Sequence, residues 1–267
     1  MMRITLDGIQ VECDAKTVGD LLMDHPDGTV AIVNGRHMTS DDALREGDSV
    51  HLLHGDGTFR RQLSAPLLSE RYTEPVFDRI SNARVGIAGL GGMGSHVAIA
   101  LARSGVGHLV VVDFDRVDQT NLNRQNYSIH DVGKPKSEAT ARILASVSPG
   151  TDVVHHDVMI TRDNVHDLFS GCDVVCEAFD DPACKSMLVE ELLSSDPDVV
   201  IVSCSGMAGF GSPNGIRTIR PMSRLYVCGD GETDASTGAG LVASRVMVCA
   251  GHVAHTAIRV ILGETEQ

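Results

Sequence analysis

The chain has no Trp, and aromatic residues make up only 3% of its 267 positions. That scarcity argues against a stacking platform for single-stranded nucleic acid, which needs several exposed rings in a row. Positive charge is also short. The 22 Lys and Arg face 36 Asp and Glu, a formal net charge of -14, and no basic stripe is visible. A nucleic-acid binder is therefore not expected. Long apolar runs are missing too. The longest, such as Leu109–Val112, are strand-length, far from the ~20 residues that span a bilayer. Met1–Gln10 alternates and contains Asp7, unlike a secretory leader. No membrane association is expected. The seven Cys are odd in number and scattered, which reads as reduced thiols in a cytoplasmic protein. Zinc is not expected either. Cys228 has Gly231 at its paired position and Cys249 is followed by His252, short of four ligands.

What is present is a core, because 42% of the residues are hydrophobic. Its patterning changes character near residue 58. Before that point the segments are short. Arg3–Leu6 and Ile9–Cys13 flank Asp7-Gly8, a two-residue hairpin signal. Thr17 is a good N-cap for a short helix through Leu21, Leu22 and Met23. Val30–Val33 runs into a turn at Asn34-Gly35, and Asp48–Leu53 is a last strand. The order β-β-α-β-β predicts a small β-grasp domain over residues 1–57. Residues 58–82 read as a connector with a short helix, carrying Arg60, Arg61, Arg71 and Arg79. From 83 to 267 strands and helices alternate, and His108–Asp113 is a continuous apolar, β-branched run ending in an acid. That pattern predicts an α/β domain with a doubly wound, mostly parallel Rossmann-like sheet. Gly94–Ser104, Lys136–Val147 and Ala183–Leu193 are its predicted helices, and a long closing helix or helix pair lies within Gly238–Leu262.

Gly89-Leu90-Gly91-Gly92-Met93-Gly94-Ser95 follows the first buried strand and opens a helix. Gly89, Gly91, Gly92 and Gly94 permit a tight turn and close backbone approach, and a helix N-terminus offers N–H groups to an anion. Asp113 ends the next strand, about twenty residues on, where a carboxylate can accept from ribose hydroxyls. Up to here the pattern suits a nicotinamide-dependent oxidoreductase as well as an ATP enzyme.

The residues that follow decide between them. Asp113-Phe114-Asp115-Arg116-Val117-Asp118-Gln119-Thr120-Asn121-Leu122-Asn123-Arg124-Gln125 resembles the D-x-D-x-V-x-x-S-N-L-x-R-Q segment of the ThiF/MoeB/HesA family. Gly133-Lys134-Pro135-Lys136 resembles its G-x-P-K, and Glu177-Ala178-Phe179-Asp180 its strand-end acidic site. The shorter ThiF proteins without zinc motifs are the nearest in pattern. The first domain is similar to ThiS, the sulfur carrier of thiamin biosynthesis, at Asn34-Gly35 and Leu44-Arg45-Glu46-Gly47-Asp48-Ser49-Val50. Such carriers end in a free Gly-Gly carboxylate. Here the corresponding point is Gly55-Asp56-Gly57 and the chain continues, so an internal peptide carbonyl stands where a carboxylate would react.

The resemblance implies adenylation of the C-terminal carboxylate of a ThiS-like sulfur carrier by ATP, in a homodimer. It assigns Arg124 and Lys136 to the triphosphate, Asn121 and Asp113 to the nucleotide, and Asp180 to Mg²⁺. Arg71 would reach the phosphates from the partner subunit, and Lys185 stands where relatives often have Arg. Cys184, Cys204 and Cys228 are candidates for a covalent thiol intermediate. Three other readings stay open: a carrier-binding or autoinhibited regulator in which the fused first domain fills the partner's dock, the NAD-dependent oxidoreductase above, and a tRNA-modifying ATP-dependent cyclase of the same family, against which the acidic chain and the absence of a basic patch argue.

Overall fold

A computed structural model describes all residues except 27, 35, 55–71, 235–239 and 265–267. The chain divides into two compact units, Met1–Phe77 and Asp78–Gln267.

The first unit holds a five-stranded mixed sheet in the order β2-β1-β5-β3-β4. Strands β1 (Met2–Leu6) and β2 (Ile9–Cys13) form the expected hairpin. Asp7 and Gly8 both have positive φ, 49° and 84°, the combination a type I′ turn demands. Helix α1 (Val18–Asp24) starts at Thr17 through a capping box. Thr17 Oγ1 accepts from the Asp20 amide at 3.1 Å and Asp20 Oδ2 accepts from the Thr17 amide at 3.0 Å. Then come β3 (Gly28–Val33), β4 (Arg36–Met38) and β5 (Ser49–His54). β1 and β5 pair in parallel, and every other pairing is antiparallel. Ile4, Val18, Leu21, Ala31, Val33, Val50 and Leu52 make the core. The short β4 is absent from the sequence reading. Three residues, Arg36–Met38, are too few to show an alternating pattern.

The second unit holds a seven-stranded sheet in the order β11-β12-β10-β9-β6-β7-β8, and helix α2 (Glu74–Asn82) leads into its first strand. β6 (Arg84–Ala88), β7 (His108–Val112), β8 (Asp152–His156), β9 (Val174–Glu177), β10 (Val200–Cys204) and β12 (Leu225–Gly229) run parallel, and edge strand β11 (Arg217–Met222) is antiparallel to β12. Val110, Val175 and Ile201 pack on one face of the sheet against Val165 and Phe169 of α5 (Val165–Phe169) and Leu188 and Leu192 of α6 (Pro182–Ser195). Each such aliphatic side chain taken fully out of water contributes roughly 1.5–3 kcal/mol. α3 (Gly92–Arg103) and α7 (Ala243–Ile261) pack on each other, α7 reaching β9, β10 and β12, while α4 (Lys136–Val147) covers β7 and β8. Among the described residues no helix is long and apolar enough to cross a membrane, and all seven cysteines are free.

Two expectations need correction. The pattern of Val153–Ile160 reads as one strand in the sequence, but the strand stops at His156, and the β11–β12 ribbon was not foreseen. β11 is exposed at most positions and includes Pro221, which removes a ladder donor and is tolerated on an edge strand.

Candidate nucleotide-binding site

The chain lays β7 and β8 on one side of β6, then returns to lay β9 on the other. That reversal leaves a crevice beyond the strand ends of β6 and β9, where ligands of doubly wound sheets bind. The glycine loop sits at this point. Gly89 has φ +89°, and a Cβ there would meet the Ala178 carbonyl oxygen at 3.1 Å and Phe179 at 3.2 Å. The loop after β6 therefore lies against the loop after β9 that leads to Asp180. Gly94 is required for a different reason: a Cβ would stand 1.8 Å from the Gly89 carbonyl oxygen. Gly91 is the N-cap of α3 and supplies no side-chain cap bond, so the first-turn amides are presented to the crevice.

The segment after β7 wraps this loop. Asp113 is 8% exposed. Its Oδ2 accepts from the Leu90 amide at 2.6 Å and its Oδ1 from the Asp115 amide at 2.8 Å. Burial pushes its carboxyl up from the ordinary value, against the attraction of Lys136 and those two amides. Asp113 thus fixes the loop through the Leu90 and Asp115 amides. Lys136, 6% exposed at the first turn of α4, donates to Asp115 Oδ2 at 2.7 Å. Asp115 is accordingly the holder of the lysine.

Asn121 closes a short 3₁₀ turn, Gln119–Asn121, and its side-chain oxygen accepts from the Asp118 amide at 3.2 Å. The next residues come back over α3. His96 Nε2 lies 3.2 Å from the Arg124 carbonyl oxygen, and Ser95 Oγ accepts from the Asn126 amide at 3.1 Å. Arg124 Nη1 donates to the Thr120 carbonyl at 3.2 Å and Asn123 Oδ1 at 2.9 Å, leaving Nε and Nη2 unengaged among the described residues. Its Cγ lies 3.7 Å from the position of a Gly92 Cβ. Asp180 is exposed and carries no hydrogen bond or ion pair among the described residues. Arg71 lies outside the described residues.

Several contacts of the site were not assigned by the sequence reading. Gln125, 8% exposed and 3.8 Å from a Gly91 Cβ position, has a buried Oε1 without a partner. Its place beside Arg124 was the available signal. Tyr127 donates from its hydroxyl to the Leu90 carbonyl at 2.8 Å and pins the glycine loop from below. Beneath Asp180, fully buried Glu177 gathers three donors. They are Lys185 Nζ at 2.9 and 3.0 Å, the Phe179 amide at 2.7 Å, and the Ser203 hydroxyl. Burial opposes the charge on Lys185, but Glu177 outweighs it and holds the ammonium above its ordinary range. This lysine is a strut for the Asp180 loop.

The thiols are quiet. Burial pushes Cys204 up to about 12 and raises Cys228 as well. Cys184 is also raised, by burial and by Asp181 beside it. None gains the thiolate character that nucleophilic cysteines show. Among the described residues no three acidic, His or Cys side chains gather as a metal cluster.

Comparison with known proteins agrees with this architecture. The chain is 36% identical over 138 residues to a tRNA threonylcarbamoyladenosine dehydratase of Bacillus subtilis, covering 51% of this chain and 54% of that protein. It is 40% identical over 105 residues to a SAMP-activating enzyme E1 of Haloferax volcanii, with 38% of each chain covered. The chain therefore spans about half or less of the length of these curated relatives. In fold it is similar to the E. coli tRNA N6-threonylcarbamoyladenosine dehydratase in complex with ATP, with TM-score 0.67 and 23% identity, over 74% of this chain and 93% of that one. E. coli MccB with ATP superposes with TM-score 0.57 and 24% identity, over 80% and 67%. The family model described as "ThiF family" matches residues 59–267, most of the chain, and the protein belongs to that family.

Proposed function

We propose that this protein uses ATP to adenylate the C-terminal carboxylate of a separate ThiS-like sulfur carrier. The observation that carries the reading is the convergence of three loops on one strand-end crevice: an uncapped helix N-terminus at Gly91, Arg124 with unengaged guanidinium nitrogens beside Gly92, and Asp180 across Gly89. The buried, unpartnered Oε1 of Gln125, whose Nε2 lies 3.8 Å from a Gly91 Cβ position, fits a ligand group that donates there.

A carboxylate oxygen of the carrier attacks the α-phosphorus. The bond from that phosphorus to the bridging oxygen breaks, and pyrophosphate leaves. The nucleophile, with a pKa near 3.5, is ionised at neutral pH and needs no base. The obstacle is repulsion, roughly 4 kcal/mol for two unit charges at about 4 Å in a medium of effective dielectric near 20. Arg124, Lys136 and the α3 amides would offset it by holding phosphate oxygens in place. Lys136 arrives tied to Asp115 at 2.7 Å, so it would share its proton donors between that carboxylate and a phosphate. Asp180 would hold Mg²⁺ as a lone protein ligand, as that ion accepts, and the metal would supply further charge neutralisation.

The first unit supports the carrier side. Its β-β-α-β-β-β order, with β1 and β5 parallel in the sheet centre, suits a ThiS-like β-grasp domain. Because the chain continues past Gly57, that domain lacks a terminal carboxylate of its own, and the substrate would come in trans. A homodimer, with Arg71 reaching the partner's site, belongs to the same reading. A second reading, an ATP-dependent reaction on tRNA, is favoured by the names of three relatives. The net charge of -14 weighs against a polyanionic substrate.

The test is ATP–pyrophosphate exchange with a purified carrier ending in Gly-Gly. Wild type should exchange, and Arg124→Ala and Lys136→Ala should each lower the rate by about 10²–10³. ATP binding without any carrier-dependent exchange would overturn the proposal.

A further inference from the structure

A cavity of about 540 Å³ opens on the sheet face covered by α7, lined by Thr218 and Tyr226 of the β11–β12 ribbon and by Val248, Gly251, His252, His255, Arg259 and Val260 of α7. It is separate from the nucleotide crevice. Val246, near the start of α7, lies 3.4 Å from a Gly92 Cβ position. At the other end of the helix, Leu262 accepts from Arg79 of α2, just before β6, at 2.7 Å. Arg259 is about 13 positions beyond Val246, roughly 20 Å along the helix axis.

Two independent features mark the cavity as built for a ligand. Tyr226 is 4% exposed, and its buried hydroxyl has no hydrogen-bond partner among the described residues. Leu225 and Val227 pack on the opposite, α6 side of the sheet, so strand alternation turns Tyr226 toward α7 and the cavity. An unmet buried donor of this kind costs stability and calls for an acceptor. The second feature is Gly251. It sits inside the α7 helix, where glycine costs ~1 kcal/mol relative to Ala. Yet a Cβ there would meet nothing within 4 Å. No close packing requires this glycine; its effect is to leave the cavity mouth open.

The lining is rich in donors. Thr218 Oγ1 lies 3.1 Å from His252 Nδ1 and 3.4 Å from Cys228 Sγ. In both contacts either atom can act as the donor, so the Thr218 hydroxyl links the His252 ring to the Cys228 thiol. Donors at Tyr226, His252 and Arg259 face an apolar wall of Val248 and Val260, with Glu264 the acidic residue of the lining. Thr218 and Thr256 add neutral hydroxyls. We infer that this cavity is a second ligand site, taking a small organic anion whose carboxylate or phosphate meets the Tyr226 hydroxyl, His252 and Arg259 while its apolar body lies on the two valines.

The test uses the full chain labelled with ¹³C,¹⁵N-histidine and titrated separately with benzoate and with phenyl phosphate. The His252 and His255 ring signals should shift saturably, while His96, beside the glycine loop, stays still. Saturation by either probe supports the site, and the tighter one identifies the headgroup. Tyr226→Phe should weaken binding about tenfold, the loss of one hydrogen bond to a charged group. It should do so without lowering the thermal midpoint, because its hydroxyl has no partner to lose in the unliganded protein. Gly251→Leu should fill the mouth and abolish the shifts. Still signals at His252 and His255, shifts confined to His96, or undiminished binding in both variants would each overturn the inference.

Discussion

The two sheets of this protein are built on different rules. In the first unit the central β5 buries Val50, His51 and Leu52, but its neighbour β1 buries Ile4 alone and the edge strand β2 buries none of its residues, so the fold leans on turns and a cap. In the second, the last four residues of both β6 and β7 are buried, as expected of parallel strands covered on both faces. A sheet covered on both sides can hold polar groups at its strand ends in fixed, dehydrated positions. Asp113, Lys136 and Glu177 are all buried there. The difference teaches where chemistry can be carried: charge needs a rigid surround that satisfies it.

The contrast can be broken by mutation. The largest expected effect is at Asp230, which organises the segment after β12. Burial opposes its charge, but the Thr233 and Glu232 amides, the Thr233 hydroxyl and Arg245 hold it far below the ordinary carboxylate range. Arg245, 7% exposed, donates to it at 2.6 Å. Asp230→Asn leaves that guanidinium buried without its counter-charge, so a loss of about 3–5 kcal/mol is expected in denaturant unfolding. Because the folded value is depressed, the stabilisation is complete above the unfolded carboxylate range near pH 4. It fades as pH falls below that, and the variant should lose this part of the acid dependence. A variant with wild-type unfolding from pH 3 to 7 would show that the second unit does not rely on this pair.

Next is Gly94→Ala. The added methyl would overlap the Gly89 carbonyl oxygen, and displacing α3 should cost about 3 kcal/mol and weaken nucleotide binding in calorimetry. Gly47→Ala in the first unit sharpens the comparison. Gly47 has φ +85° but open space around it, so only backbone strain of about 1 kcal/mol is expected. Equal losses at the two glycines would contradict the proposed difference.

The smallest effect is at Thr17. Removing its cap with Thr17→Ala should cost about 1 kcal/mol, read as faster amide exchange in Leu21 and Leu22 with the β6 and β7 amides unchanged. Loss of protection in both sheets would mean that the units do not open separately.

Much of the site could be read from residue order alone. The spacing of Gly89, Gly91 and Gly94 announces a strand–turn–helix phosphate loop; Gly89 takes a positive φ and Gly94 has no room for a Cβ. Asp7-Gly8 and Thr17 were legible for the same reason, since turns and caps are local physics. Arg124 and Lys136 came from the family resemblance, yet Asp115 as the partner of Lys136 did not, because nothing in spacing says which carboxylate will meet a helix-start lysine. The Glu177–Lys185–Ser203 strut joins two strands and a helix far apart in the chain and leaves no periodic trace. The β11–β12 ribbon was invisible for a third reason. An exposed edge strand containing Pro221 has neither the apolar run nor the alternation that marks a strand.

By itself, then, the order of residues determined the local devices and the layered α/β plan of residues 83–267, because turn conformations and burial periodicity are set within a few neighbours. Only the tertiary structure decided which buried charges are satisfied, which thiols are silenced, and where an unmet hydroxyl and a helix glycine enclose a space. Those properties depend on atoms brought together from distant parts of the chain, and their energies are set by the dehydrated surroundings that folding creates.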